Sequence, residues 1–247
     1  MRLTSDGLII RDIAQMGEAD RFLVVLTRDL GVIRVAARGV RQVKNRNAGA
    51  TQLLCYARLV LQRSRDTYYL DTARPERTFF ELRNQIDTLA LAQYFCELAD
   101  ALAPREEPAE EFLRLMLNAL HLLGEGKVAP TQIKAVTELR ALVLAGYGPL
   151  LGQCAVCGGA PKTPVLLPRS GVVCCDDCRQ TAGGVPLSNA ALAAMRHISS
   201  APSARSFAFR LPEADLDLLG KACEQSVIEH TGRKFKTLEF YRSLQTV

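Results

Sequence analysis

Four of the eight cysteines fall in a pattern that chemistry can use: Cys154-Ala-Val-Cys157, seventeen residues, then Cys175-Asp-Asp-Cys178. Two Cys-x-x-Cys pairs at that spacing read as a tetrahedral thiolate site for zinc. The two-residue spacer lets both sulfurs of one tight turn face a single ion, and Gly158, Gly159 and Gly171 supply the permissive backbone that such turns use. Four thiolates leave no coordination position for water, so one zinc ion per chain is expected in a structural and not a catalytic role. Cys174 adjoins Cys175 and offers a rival Cys-x-x-x-Cys spacing to Cys178, which leaves the third ligand open between them; the expected set is Cys154, Cys157, Cys175 and Cys178. Four buried or disulfide-bonded cysteines would be the plain alternative, but a double pair in a chain of cytosolic character points to metal. Cys55, Cys96 and Cys223 lie in apolar surroundings and are assigned to cores.

The second chemical feature is a run of charge. The chain carries a formal +5, yet residues 30 to 65 hold eight Lys or Arg and no acid, so the rest is slightly acidic, 23 basic groups against 26. A concentrated positive field suits a polyanion, and nucleic acid is favoured over a membrane because no amphipathic anchor accompanies it. Arg34, Arg38, Arg41, Lys44 and Arg46 are the candidate phosphate contacts. Most of them sit in Arg38 to Asn47, a polar segment too long for a hairpin turn. A merely solvated face would carry acids among its bases, and this one carries none. Phe22, Tyr56, Tyr68 and Tyr69 lie nearby in sequence, either to stack on bases or to fill a core.

The elements that must position these groups follow from periodicity. Leu8 to Ile13, Arg21 to Thr27, Val32 to Ala37, Leu53 to Gln62 and Tyr68 to Arg74 read as five short strands, which fits a small closed barrel. The five-stranded OB-fold is the expected form, with an SH3-like barrel as the alternative. From Pro75 the period becomes helical: Phe79 to about Ala103, Glu110 to Leu123 as the buried centre of a bundle, Pro130 to near Gly146, Asn189 to Ile198 after a Ser188 cap, and a helix from Leu211-Pro212-Glu213 to about Thr231. Pro161, Pro164 and Pro168 make the segment between the cysteine pairs strand and turn, as in a zinc ribbon. The expected class is α+β multidomain: an OB-fold barrel over 1–76, then a helical bundle over 77–247 with a four-cysteine zinc ribbon inserted at about 150–186.

No stretch reads as a signal peptide or membrane span, and a cytoplasmic protein is expected. Catalysis finds no footing. His121, His197 and His230 are far apart without ligand-spaced partners, no phosphate-binding Gly-rich loop is present, and Asp176-Asp177 read as solvated spacers within the cysteine turn. The expectation is a binding protein and not an enzyme.

Barrel, basic loop, helices and four-cysteine insert, in that order, resemble the bacterial recombination mediators of the RecO family over nearly the whole chain. The resemblance is carried by Gly31-Val-Ile-Arg-Val-Ala-Ala-Arg38-Gly-Val-Arg41-Gln-Val-Lys44-Asn-Arg46, by Gly148-Pro-Leu-Leu-Gly-Gln-Cys154-Ala-Val-Cys157-Gly158, and by Arg233-Lys-Phe-Lys-Thr-Leu-Glu-Phe-Tyr-Arg242. It implies binding of single- and double-stranded DNA, annealing of complementary strands, and cooperation with RecR in loading the recombinase RecA onto DNA coated by single-strand-binding protein, in the cytoplasm at the nucleoid. It also implies that the helical domain receives the acidic, apolar tail of single-strand-binding protein. Arg233, Lys234 and Phe235 offer both chemistries for such a peptide. Arg34 stands where many relatives have lysine, and Cys174 is an extra thiol. The alternative class is an RNA- or transcription-associated protein with the same zinc ribbon and barrel.

Overall fold

The computed structural model describes residues 1–13, 20–40, 42, 44–65, 67–179 and 183–245. Five strands, β1 (Arg2–Ile13), β2 (Arg21–Thr27), β3 (Gly31–Ala37), β4 (Cys55–Ser64) and β5 (Thr67–Thr78), close into a barrel in the order β1-β2-β3-β5-β4. Every pairing is antiparallel except β3 with β5. This closure is that of an OB-fold, as expected. Its interior is built from alternate residues of each strand, among them Ile9, Leu23, Val25, Ile33, Val35, Leu59, Leu61 and Tyr68.

Strand β1 starts at Arg2 and not at Leu8. Its polar first half keeps its backbone in the ladder with β4, from Arg2 opposite Gln62 to Leu8 opposite Tyr56, and Asp6 faces Arg58 at 2.9 Å. Cross-strand pairing, not local hydrophobicity, sets that end. The β2–β3 turn is also fixed from outside. Gly31 has φ 62°, and a Cβ there would collide with the Pro104 carbonyl oxygen, which accepts the Val32 N–H at 2.8 Å. Only glycine permits both the left-handed backbone and that approach.

The chain divides into two compact units, Met1–Gly124 with Phe235–Val247, and Glu125–Lys234. The first joins to the barrel the helices α1 (Ile86–Leu102), α2 (Glu110–Glu125) and α6 (Lys236–Gln245). Helix α1 begins later than Phe79, because Phe80–Arg83 winds into a separate 3-10 turn. The last helix returns to α1: Phe235 is 1 % exposed and meets Tyr94 edge-on at 5.6 Å, and Glu97 accepts from both the N–H and the hydroxyl of Thr237.

The second unit holds α3 (Pro130–Leu144), a three-stranded sheet of β6 (Pro164–Leu167), β7 (Val172–Cys175) and β8 (Val185–Pro186) in the order β7-β6-β8, then α4 (Asn189–Ser200) and α5 (Glu213–Thr231). Ser188 caps α4 by accepting the Ala191 N–H at 2.9 Å. The helix buried on all sides is α3, from Gln132 to Leu142, whereas α2 buries one face only. Pattern reading places the centre on α2 because Lys134, Glu138 and Arg140 give α3 a polar look. They are buried and engaged: Lys134 Nζ lies 2.9 Å from Glu138 and 2.8 Å from Glu224, and Arg140 donates to the carbonyls of Ile198 and Ser199 at the end of α4. Among the described residues no helix is long and apolar enough to cross a membrane.

Candidate nucleic-acid interface and metal centre

Strand alternation decides where the barrel's cations point. Ile33, Val35 and Ala37 face the interior, so Arg34 and Arg38 project outward, and both are exposed. Beyond β3, Lys44 and Arg46 are exposed on a connection that asparagines hold in place. Asn45 Nδ2 donates to the Gly39 carbonyl at 2.9 Å, and the Asn47 N–H donates back to Asn45 Oδ1 at 2.8 Å. Asn47 then spans β5, accepting the Ala73 N–H at 3.0 Å and donating to the Asp71 carbonyl at 3.3 Å. The polar composition that reads as a loop thus builds a seat for the two cations. Arg41 lies outside the described residues.

One acid borders this face: Asp20, just beyond the Arg21–Ala37 pair, accepts the Gly39 N–H at 2.7 Å. What sets the face apart is that its cations are left out of ion pairs. Arg2, Arg21, Arg58 and Arg63 of the same barrel are paired with Asp71, Asp12, Asp6 and Glu106. Among the described residues no ion pair engages Arg34, Arg38, Lys44 or Arg46. Their charges are therefore not neutralised by direct ion pairs and are directed at solvent. The four nearby aromatics separate by face. Tyr68 fills the barrel at 2 % exposure, Phe22 and Tyr56 are half-buried, and Tyr69 faces outward with the Arg38 guanidinium 5.1 Å above its ring.

The cysteine centre is assembled by two turns and one strand. The Sγ atoms of Cys154, Cys157, Cys175 and Cys178 all lie within 4.8 Å of one another. Sulfurs about 2.3 Å from a tetrahedral ion stand about 3.8 Å apart, so the cluster fits one ion. Both turns close on themselves: the Gly158 N–H reaches the Cys154 carbonyl at 2.9 Å, with Gly158 at φ 72°, and the Cys178 N–H reaches the Cys175 carbonyl at 3.2 Å. Backbone donors serve the sulfurs as well, Cys175 N–H to Cys154 at 3.4 Å and Lys162 N–H to Cys175 at 3.3 Å.

The thiols are unequal before any ion enters. The N–H groups of Cys157 and Cys175 hold Cys154 down to about 6, whereas Cys178 is pushed up to about 12, chiefly by its bond with Cys157 and then by burial. A cluster that cannot ionise fully alone is one that a divalent cation completes. Cys174 points from the opposite side of β7, fully buried, with its thiol toward the Val165 carbonyl at 3.8 Å, and burial raises its pKa. Period-two alternation thus places Cys175, and not Cys174, with the other three. These four residues could hold a metal ion.

Arg233 and Lys234 are exposed just after the left-handed Gly232 that ends α5. Phe235 does not share that exposure: its ring is packed against Tyr94, so an arriving peptide would meet the two cations without it.

The family model described as recombination protein O N terminal matches residues 1–79, and that described as recombination protein O C terminal matches residues 83–239. Named relatives extend the likeness over whole chains. The chain is 28 % identical to the DNA repair protein RecO of Acetivibrio thermocellus, covering 99 % of this chain and 98 % of that one. It is 32 % identical to the protein of the same name from Symbiobacterium thermophilum, over 98 % and 97 %. A third, from Desulforudis audaxviator, is also 32 % identical, over 97 % and 96 %.

Proposed function

Because the chain belongs to the RecO family, we propose that it is a DNA-binding recombination mediator acting in DNA repair, with the barrel's outward cations as its DNA contact. The observation that carries this reading is the set of exposed cations Arg34, Arg38, Lys44 and Arg46, which no ion pair engages among the described residues, with Arg41 between them in sequence. In the finer reading it binds single- and double-stranded DNA, anneals complementary strands, and with RecR helps RecA onto DNA coated by single-strand-binding protein, in the cytoplasm at the nucleoid. The barrel, 1–76, would contact DNA, and the remainder, 77–247, would receive proteins. Zinc is the ion proposed for the four thiolates, because a borderline-soft cation without geometric preference suits an all-sulfur tetrahedron.

A mediator acts on any sequence, so phosphate contacts should dominate and base-edge contacts be few. The Arg34→Ala/Arg38→Ala protein is therefore expected to bind and anneal DNA more weakly at every sequence tested. The slope of log affinity against log salt should fall by about 0.7 per lost contact on single strands and about 0.9 on duplex. Neither side chain is in a core, so metal content and melting temperature should match the parent. Titrations of both DNA forms at several salt concentrations read this directly. Parental affinities and slopes would put the DNA contact elsewhere.

The tail of single-strand-binding protein is proposed to use Arg233 and Lys234, whose exposed cations suit an acidic peptide. Replacing both with Ala should weaken a labelled tail peptide severalfold in anisotropy. An unchanged affinity would remove these two residues from the site.

A further inference from the structure

The register of the barrel places two aromatics and two arginines around one small residue. On the outer face of β3, Ala36 stands two residues, about 7 Å, beyond Arg34, and Arg38 follows directly after the strand's last residue, Ala37. Across the sheet Ala36 is paired with Phe22 of β2 on one side and with Tyr69 of β5 on the other. Directly opposed residues share a face, so both rings point outward beside Ala36, with Cα atoms about 10 Å apart over two strand spacings. Below this level the outer face is closed, since Val24, Leu26 and Val32 are buried. At this level Ala36 is covered to 7 % exposure, but Phe22 and Tyr69 on either side of it remain partly exposed, and Arg34 and Arg38 are exposed.

We infer that Phe22, Ala36 and Tyr69 form a base-stacking floor between the phosphate-binding Arg34 and Arg38, and that this floor makes the barrel prefer single-stranded over duplex DNA. The inference rests on the reading that this face binds DNA and adds to it the groups that read the strand state. Unpaired bases have free faces, and a base laid on the accessible parts of the Phe22 and Tyr69 rings, which flank the buried Ala36, brings its neighbouring phosphates to the two guanidinium groups. Arg38 is already stacked on Tyr69 at 5.1 Å, so its plane offers its second face to a base at little further ordering cost. Duplex bases are stacked on one another and reach only the arginines. Tyr68 and Tyr56 are excluded, the first because it fills the barrel interior and the second because it lies on β4, opposite Arg77 and away from this row.

Phe22→Leu/Tyr69→Leu keeps apolar bulk and removes the rings. In the full-length protein it should weaken binding of an oligothymidylate about tenfold or more while leaving a duplex of equal length within about twofold. The salt slope should not move, because no phosphate contact is lost. The chain has no tryptophan, so Tyr69→Trp installs a single tryptophan, whose emission can be excited selectively over that of the tyrosines. Its emission should be quenched by oligothymidylate and not by duplex, a readout that survives even if the Leu variant melts early. Equal losses on both DNA forms, no loss on either, or an unquenched Trp signal at saturation would overturn the floor. The Arg34→Ala/Arg38→Ala protein separates the two claims. If it loses affinity while the ring variants are silent, stacking alone falls; if it binds as the parent does, the face is not the DNA site.

Discussion

A Cys157→Ser protein is expected to lose its metal and, with it, the folded ribbon. Cys157 is exposed and Ser is nearly isosteric, so the substitution removes little packing and tests the sulfur–metal bond itself. Besides the metal, the ribbon is held by the buried Leu166 and Val173 and by Arg196, which donates to the carbonyls of Leu151 and Gly152. Around the thiols themselves the packing is small: Cys154, Val165, Cys174 and Cys175, with Leu167 and Cys178 partly buried against them, far less apolar surface than an independent module requires. For structural zinc sites the binding free energy is folding free energy, of the order of 10 kcal/mol or more at neutral pH. Residues 150–186 should therefore become open to limited proteolysis, metal content should fall from one equivalent to near none, and an added chelator should do the same to the parent. Cys175→Ser should behave like Cys157→Ser, and Cys174→Ser should keep its ion, because the Cys174 thiol faces the Val165 carbonyl on the other side of β7. A metal-free Cys157→Ser protein with parental melting and proteolysis would refute a structural role.

How much of this was legible in the sequence depends on the range of the interaction. The cysteine turns were legible because ligand spacing is local, and so was the acid-free run around Arg34 and Arg38. Ser188 capping α4 and Gly232 ending α5 are likewise written in a few adjacent residues. What escaped is nonlocal. The β4 ladder extends β1 back to Arg2 through polar residues that no hydrophobic pattern marks. Lys236–Gln245 forms α6 because Phe235 and Thr237 find Tyr94 and Glu97, residues about 140 positions earlier. Phe22 and Tyr69 are 47 positions apart and only the barrel register sets them beside Ala36. Choosing Cys175 over Cys174 needed only the strand assignment of Val172–Cys175.

The buried charges of α3 carry the other large expectation. Lys134 is the shared partner of Glu138, whose side chain is fully buried, and of Glu224. Burial pulls the ammonium down, but the two carboxylates together outweigh it and leave Lys134 above its ordinary value. Lys134→Met removes the cation and leaves the fully buried Glu138 carboxylate beside that of the partly exposed Glu224 with no ammonium between them, which should destabilise by roughly 3–5 kcal/mol. That is a large part of a unit's total stability. Urea unfolding should show it as a lowered midpoint. Lys134→Met/Glu138→Leu, which replaces both charges with apolar groups of similar size, should recover part of that loss, so the double variant is expected to be more stable than the single. The pH dependence has a definite sign. A lysine whose folded pKa is raised contributes its full stability below the ordinary lysine value and loses it as pH climbs through the folded value. The difference between parent and Lys134→Met should thus be constant through neutral pH and shrink only above about 10.5, the ordinary lysine pKa. Equal midpoints for parent and Lys134→Met would mean that the triad is indifferent to folding. A double variant weaker than the single would mean that Glu138 is needed for contacts other than Lys134, and the stability of α3 would then rest on that carboxylate and not on the pair.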